Sequence, residues 1–277
     1  MKSVLCGCFF VCVKKDIYQI IELLEGKKVA IIITMFLMGI LLGFVGAGGA
    51  GFIIGVLTLI FQVPIHVALA TSLTAMAFTT FSGVVSHYRE GNVVLKIGSI
   101  VGGFGAVGSY IGSKFGAVIP AHLLHWFTAG MLFLSAIFMF IRLLFFQNQK
   151  KLSMNIVKKL SIIRKCILLG LVTGGLAGAF GIGSAPFIQL GLMVLLGLTI
   201  QQSVGTTMLI ILPIAIGGGF GYSSEGYLDY LLLVQVLIGT MLGAYIGGKF
   251  TNYAPRIILK FSMIMTPILA GCMLLIE

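Results

Sequence analysis

Two clusters of residues in this chain could do chemistry. The first is Gly46, Gly48, Gly49 and Gly51 with Thr71 and Ser72 after it; the second is Gly181, Gly183 and Ser184 with Thr206 and Thr207 after it. None of these side chains is charged. Glycines that break a helix free its backbone N–H groups, which bind oxyanions without a cationic side chain, and hydroxyls nearby add donors. That is chemistry for holding a small anion. A purely structural account competes with it, in which glycines let helices pack closely and Ser or Thr bonds to carbonyls of its own helix.

A shift of about 135 residues lays the second cluster on the first without a gap, the mark of an internal repeat. The same shift carries Gly108, Tyr110, Gly112, Lys114 and Phe115 onto Gly243, Tyr245, Gly247, Lys249 and Phe250. Lys114 and Lys249, matched in this way, could draw anions to the mouths of a pathway or could anchor helix ends. His87 and Arg89, at the end of an apolar run, are candidates for gating or for an interfacial loop. His122 and His125 lie one turn apart beside Trp126, which reads as interfacial anchoring. No His, Cys or carboxylate cluster has metal-ligand spacing, no nucleophile stands with a base, and no nucleotide-binding loop occurs. The expectation is a chain with no metal, no cofactor and no enzymatic activity.

Composition says what must position these residues. Of 277 residues, 59% are hydrophobic and 9% charged, and the mean hydropathy is +1.15. Such a chain belongs in a lipid bilayer, and a soluble domain is excluded. The net charge of +11 comes from 18 basic against 7 acidic residues. The bases gather at Lys14-Lys15, Lys27-Lys28 and from Lys150 to Lys165, between apolar runs, as cytoplasmic loops do. Topology accounts for the charge, and nucleic acid is not needed as a partner. The cysteines, Cys6, Cys8, Cys12, Cys166 and Cys272, read as small apolar residues in or beside lipid.

The expected fold is an all-α polytopic membrane protein of two homologous repeats. An interfacial segment, 1–28, precedes repeat 1 at 29–146, a basic linker at 147–165, and repeat 2 at 166–277. Each repeat has four long spans and one short broken or re-entrant helix. In repeat 1 the spans are Val29 to Gly46, Ile65 to Ser86, Val93 to Gly112, and from Pro120 to about Phe146; the short element runs from Phe52 to Gln62. If the short elements cross the membrane, the repeats are inverted. That arrangement gathers the linker, Arg89, Lys96, Lys249 and Arg256 on the inside and leaves Glu225 and Asp229 outside, with Lys27-Lys28 and Lys114 as its exceptions. Parallel repeats put the N-terminal lysines inside but leave Lys249 and Arg256 outside; the balance favours inverted repeats. The spans carry no Asp, Glu, Lys or Arg between their ends, so a carboxylate sodium site or proton relay at midplane is not expected.

The order of these features resembles the sulfite exporter TauE/SafE family. The resemblance rests on the glycine-rich breaks, on Ala70-Thr71-Ser72-Leu73 and Gly205-Thr206-Thr207-Met208, and on His87, Arg89, Gly91 and Val93 after the first copy, and it covers about residues 29 to 276. Departures are the absence of a proline after the first glycine cluster, where Gly55 and apolar neighbours stand, and Tyr222 to Glu225 in place of the His-x-Arg loop. The resemblance implies a secondary transporter, working as an exporter, for small anions such as sulfite, sulfonates or sulfoacetate in the bacterial inner membrane. A passive anion pore on the same repeats is the alternative. Expected partners are the small anion, the lipid bilayer, protons as a coupling ion and another copy of the chain.

Overall fold

The computed structural model describes residues 27–45, 50–89, 91–145, 159–181, 185–251 and 256–276. Among these residues there are ten helices and no strand. They are α1 (Lys27–Val45), α2 (Ala50–Leu59), α3 (Ile65–Arg89), α4 (Leu95–Val118), α5 (Ala121–Phe145), α6 (Lys159–Phe180), α7 (Ala185–Leu196), α8 (Ile200–Ser224), α9 (Tyr230–Thr251) and α10 (Arg256–Ile276). In hydrocarbon every backbone polar group needs an internal partner, and a helix supplies one within its own segment. Stretches of α3, α5, α6 and α8 are long and apolar enough to cross a membrane. Side chains such as Phe81, Val107, Phe140, Val172, Ile216 and Leu242 point outward and exposed, as lipid-facing residues do.

Three expected boundaries move. α3 continues through Arg89, so His87 and Arg89 lie on its last turn and not in a loop. α4 runs to Val118, past Gly112, and takes in Lys114. α6 begins at Lys159, inside the stretch expected as linker. In each case the polar residues sit at a helix end, where hydrogen-bonded backbone continues past the apolar run. The expected interfacial segment lies almost wholly outside the described residues.

Glycine contacts set the helix directions. Gly170, Gly174 and Gly178 of α6 stand against Val101, Gly105 and Ser109 of α4, so closely that a Cβ on any of them would land on the facing carbonyl oxygen. α4 and α6 are therefore parallel, with backbones in contact. On its other side α4 carries α8 in the same direction, with Gly102 against Pro213, Ala106 against Gly217, and Ser113 against Gly221. α3 runs opposite to α8, because Thr74 meets Gly219 while Gly83 meets Met208. α7 runs back along α6, with Gly191 at Leu169 and the Leu195 carbonyl accepting from Lys165 at 3.4 Å.

The α1 and α9 pair repeats the α4 and α6 contact. A Cβ on Gly39 would lie 2.7 Å from the Thr240 carbonyl oxygen, and one on Gly243 would land on the Phe36 carbonyl. The repeat shift turns the first into the Gly174 contact with Gly105, and the second into that of Gly108 with Leu171. Matched glycines meet matched carbonyls. Small residues are what allow such approach between helices that no hydrophobic force drives together.

Candidate functional site

The first break, with Gly46, Gly48 and Gly49, lies outside the described residues, as do Gly183 and Ser184 of the second. What bounds them is described. α2 begins at Ala50 and α7 at Ala185, and both first residues are buried. Neither helix has an acidic side chain in its first turn, so no carboxylate of its own offsets the positive ends of these helices. Pro186 sits in the first turn of α7, where a missing N–H breaks no helical bond.

Gly181 ends the chain's run along α6 with a φ of 62°, a left-handed conformation that glycine adopts without penalty. It lies against the ends of the Leu69 and Ile54 side chains, apolar residues of α3 and α2. Gly51, by contrast, packs on Leu132 of α5. Tyr222 closes the last turn of α6 from the other side, its hydroxyl donating to the Ala179 carbonyl at 3.1 Å. The sequence places Tyr222 in a loop; the structure puts it, fully buried, inside α8.

The four hydroxyls expected at the site divide into two kinds. Ser72 donates to the Leu69 carbonyl at 3.0 Å, the local bond of the structural account. Thr206 accepts the Val94 amide at 3.0 Å and so ties α8 to the start of α4. Thr71, at the position matching Thr206, makes no such bond. Thr71 and Thr207 are fully buried, and their hydroxyls have no hydrogen-bond partner.

Thr207 is the one whose surroundings are fixed by neighbours. One turn before it, on the same face of α8, Ser203 donates to the Gln189 carbonyl of α7 at 2.9 Å. α7 and α8 are antiparallel, since α7 opposes α6 and α6 runs with α8. One turn back from Gln189 is Ala185, the first residue of α7. Thr207 therefore shares with Ser203 the face of α8 that meets α7. α8 is held in this register at its own start by a capping box, in which Thr199 and Gln202 satisfy each other's backbone amides at 3.3 Å.

Ser109 is a residue that sequence reasoning passes over. It lies on α4 between Gly178 and Gly218, fully buried, and its hydroxyl is unpartnered. The signal was there, since it sits between Gly108 and Tyr110 in the repeated motif, but in the other half alanine stands at this place. Buried Gln189 was also missed; its match in the first half is Ile54.

The charged candidates lie at the two ends of the bundle. Lys114 is 3.5 Å from Glu225 and lies over the Tyr110 ring, 5.3 Å from its centre, which supports the anchoring role. The same end holds His66, whose Nε2 donates to the Ile119 carbonyl at 3.1 Å while its ring stacks on Tyr227. His87 and Arg89 are at the opposite end, with Lys96, Arg164 and Lys165. The side chain of Lys249 lies outside what is described. Among the described residues, every buried polar side chain is a hydroxyl or a carboxamide.

Comparison with known proteins bears on what this arrangement serves. Residues 31–274 match the family described as "Sulfite exporter TauE/SafE". The chain is 58% identical over 245 residues to "Probable membrane transporter protein YdhB" of Bacillus subtilis (strain 168), covering 88% of this chain and 99% of that one. It is 27% identical over 266 residues to "Probable membrane transporter protein YjnA" of the same organism, covering 90% and 100%. A likeness of 24% over 248 residues extends to "Probable membrane transporter protein MJ0441" of Methanocaldococcus jannaschii, covering 83% of this chain and 90% of that one. No solved structure matches it. The chain therefore belongs to the sulfite exporter TauE/SafE family and is a membrane transporter of that type.

Proposed function

We propose that the chain is a secondary carrier, working as an exporter, for a small oxyanion such as sulfite or an organosulfonate. The observation that carries this reading is Thr207: a fully buried, unpartnered hydroxyl on the face of α8 that meets α7, a helix with no acidic residue in its first turn. A buried hydroxyl without a partner is costly, by ~1–3 kcal/mol, and a bound anion removes that cost. Half-helix N-termini in a membrane bundle are suited to the same task.

The carrier reading also rests on topology. α3 and α8 occupy matched places in the two halves and run antiparallel, and α7 returns along α6, which supports short helices that cross and repeats that are inverted. Arg89, Lys96, Arg164 and Lys165 then mark the cytoplasmic end and Glu225 and Asp229 the outer end of a plasma-membrane protein. Drive comes from the proton gradient or the membrane potential. Reconstitution tests this: sulfite or ethanesulfonate accumulates in proteoliposomes against its gradient when a pH step is imposed. An ohmic current that does not saturate would instead make the protein a pore.

A further inference from the structure

The repeat shift lays the seam between α4 and α8 on that between α9 and α3, and the two seams differ. α4 lies on α8 through small residues, with Gly98 against Leu209, Gly102 against Pro213 and Ala106 against Gly217. At the matching places α9 carries Leu233, Leu237 and Met241, too large for such approach, and it stands off α3 where α4 is closely packed on α8. Exposure along this second seam rises toward the end that holds Arg89 and Lys96. On α9 it goes from Leu233 at 8% through half-buried Leu237 to Met241 at 47%. On α3 it goes from Thr71 and Ala75, both fully buried, to half-buried Thr79 beside Phe78 at 50%. The matches of Leu237 and Thr79 on the first seam, Gly102 and Ile214, are both buried.

We infer that a slit between α3 and α9 opens toward the cytoplasmic end, and that the α1 and α9 pair closes it by turning as one body onto α3. Backbone contact at Gly39, Gly239 and Gly243 ties α9 to α1, so neither moves without the other. Contacts of the same kind join α4 to α6 and to α8, which makes these three the fixed body. The pivot is the outer end of α9, where Leu233 and Val236 share a buried core with Leu69 and Leu73 of α3. The first seam shows the closed form: Leu237 comes onto Phe78 as Gly102 lies on Pro213, and Met241 takes the place of Ala106. Long side chains such as Met241 repack as the helices part, whereas a glycine seated on a facing carbonyl has one close-packed arrangement. Hinge closure of one body on another around a fixed site is how inverted-repeat carriers alternate access. The inference rests on the carrier reading, in which the slit is the cytoplasmic gate.

Two measurements on full-length protein lacking the native cysteines test it. In inside-out vesicles, single cysteines are exposed to a membrane-impermeant maleimide, which attacks the thiolate and so needs water at the site. Thr79→Cys and Met241→Cys should react on the order of tenfold faster than Phe81→Cys and Leu242→Cys, whose parent side chains are 60% and 57% exposed but face lipid. Equal rates at the four positions overturn the inference. In proteoliposomes, the pair Phe78→Cys with Leu237→Cys should form a disulfide on oxidation and stop sulfite uptake, and dithiothreitol should restore it. The pair Gly98→Cys with Leu209→Cys, across the first seam, should leave uptake running when bridged. A first pair that never bridges, or bridges without stopping uptake, overturns the inference, as does a second pair that stops it equally. If wild type carries no anion the carrier reading fails, and the maleimide rates still decide whether the slit exists.

Discussion

The Thr206 hydroxyl oxygen accepts the Val94 amide at 3.0 Å, joining two helices across a sequence separation of 112 residues. Gly205, its neighbour, makes room for the Asn92 carbonyl, which lies 2.6 Å from where a Cβ would stand. The start of α4 is thus latched to α8. Thr206→Val keeps the shape of the side chain but leaves the Val94 N–H unsatisfied, a loss of ~1–3 kcal/mol. The expected outcome is a lower thermal midpoint in detergent with little change in substrate KM, and Thr206→Ser should recover the midpoint. A KM effect as large as that of Thr207→Val would place Thr206 at the anion instead.

Glycines in the chain divide by what faces them. Gly112 and Gly174 stand against backbone carbonyls of the facing helix, whereas Gly103 and Gly130 face open space. Gly174→Ala should push α4 and α6 apart and destabilise by ~1–3 kcal/mol, as overpacking does. Gly103→Ala should leave the thermal midpoint unchanged or slightly raised, since alanine favours helix. Monodispersity and melting of the two variants in detergent check the contrast.

The direction of the helices gives a labelling pattern. Single cysteines at Lys96 and Lys165, in a background without the native five, should react with a membrane-impermeant maleimide only after cells are opened. Cysteines at Lys114 and Asp229 should react from outside. Labelling of all four positions from one side would exclude inverted repeats.

Lys114 and Glu225 form an exposed pair, which solvent and salt screen. Lys114→Met is expected to keep anion KM within about twofold of wild type and to leave its salt dependence unchanged. Were Lys114 a collector of anions, its loss would raise KM at low ionic strength and much less at high.

How far the sequence led can be judged from these same residues. The helices were legible because apolar runs of spanning length admit little else in a bilayer, and α5 lies within a residue or two of its expected bounds. Helix ends were less so, as at Arg89 and Val118, because backbone bonding carries the helix past the last apolar residue. Thr206 and Thr207 look alike in sequence, yet adjacent residues on a helix point about 100° apart. Which of them is latched depends on Val94, far off in the chain, and no local pattern announces that. The partner of Lys114 was hidden for the same reason. Of the second glycine ladder, Gly174 and Gly178 are packing glycines against α4, while Gly181 ends α6 with a positive φ.

The measurement that bears most directly on the central claim is the concentration dependence of anion uptake by proteoliposomes holding wild type or Thr207→Val. The account predicts saturable uptake in both, with KM raised about tenfold in the variant, equivalent to ~1.4 kcal/mol for one lost hydrogen bond to the anion, and the maximal rate little changed. Equal KM values in the two proteins, or a flux that rises linearly without saturation, would contradict it.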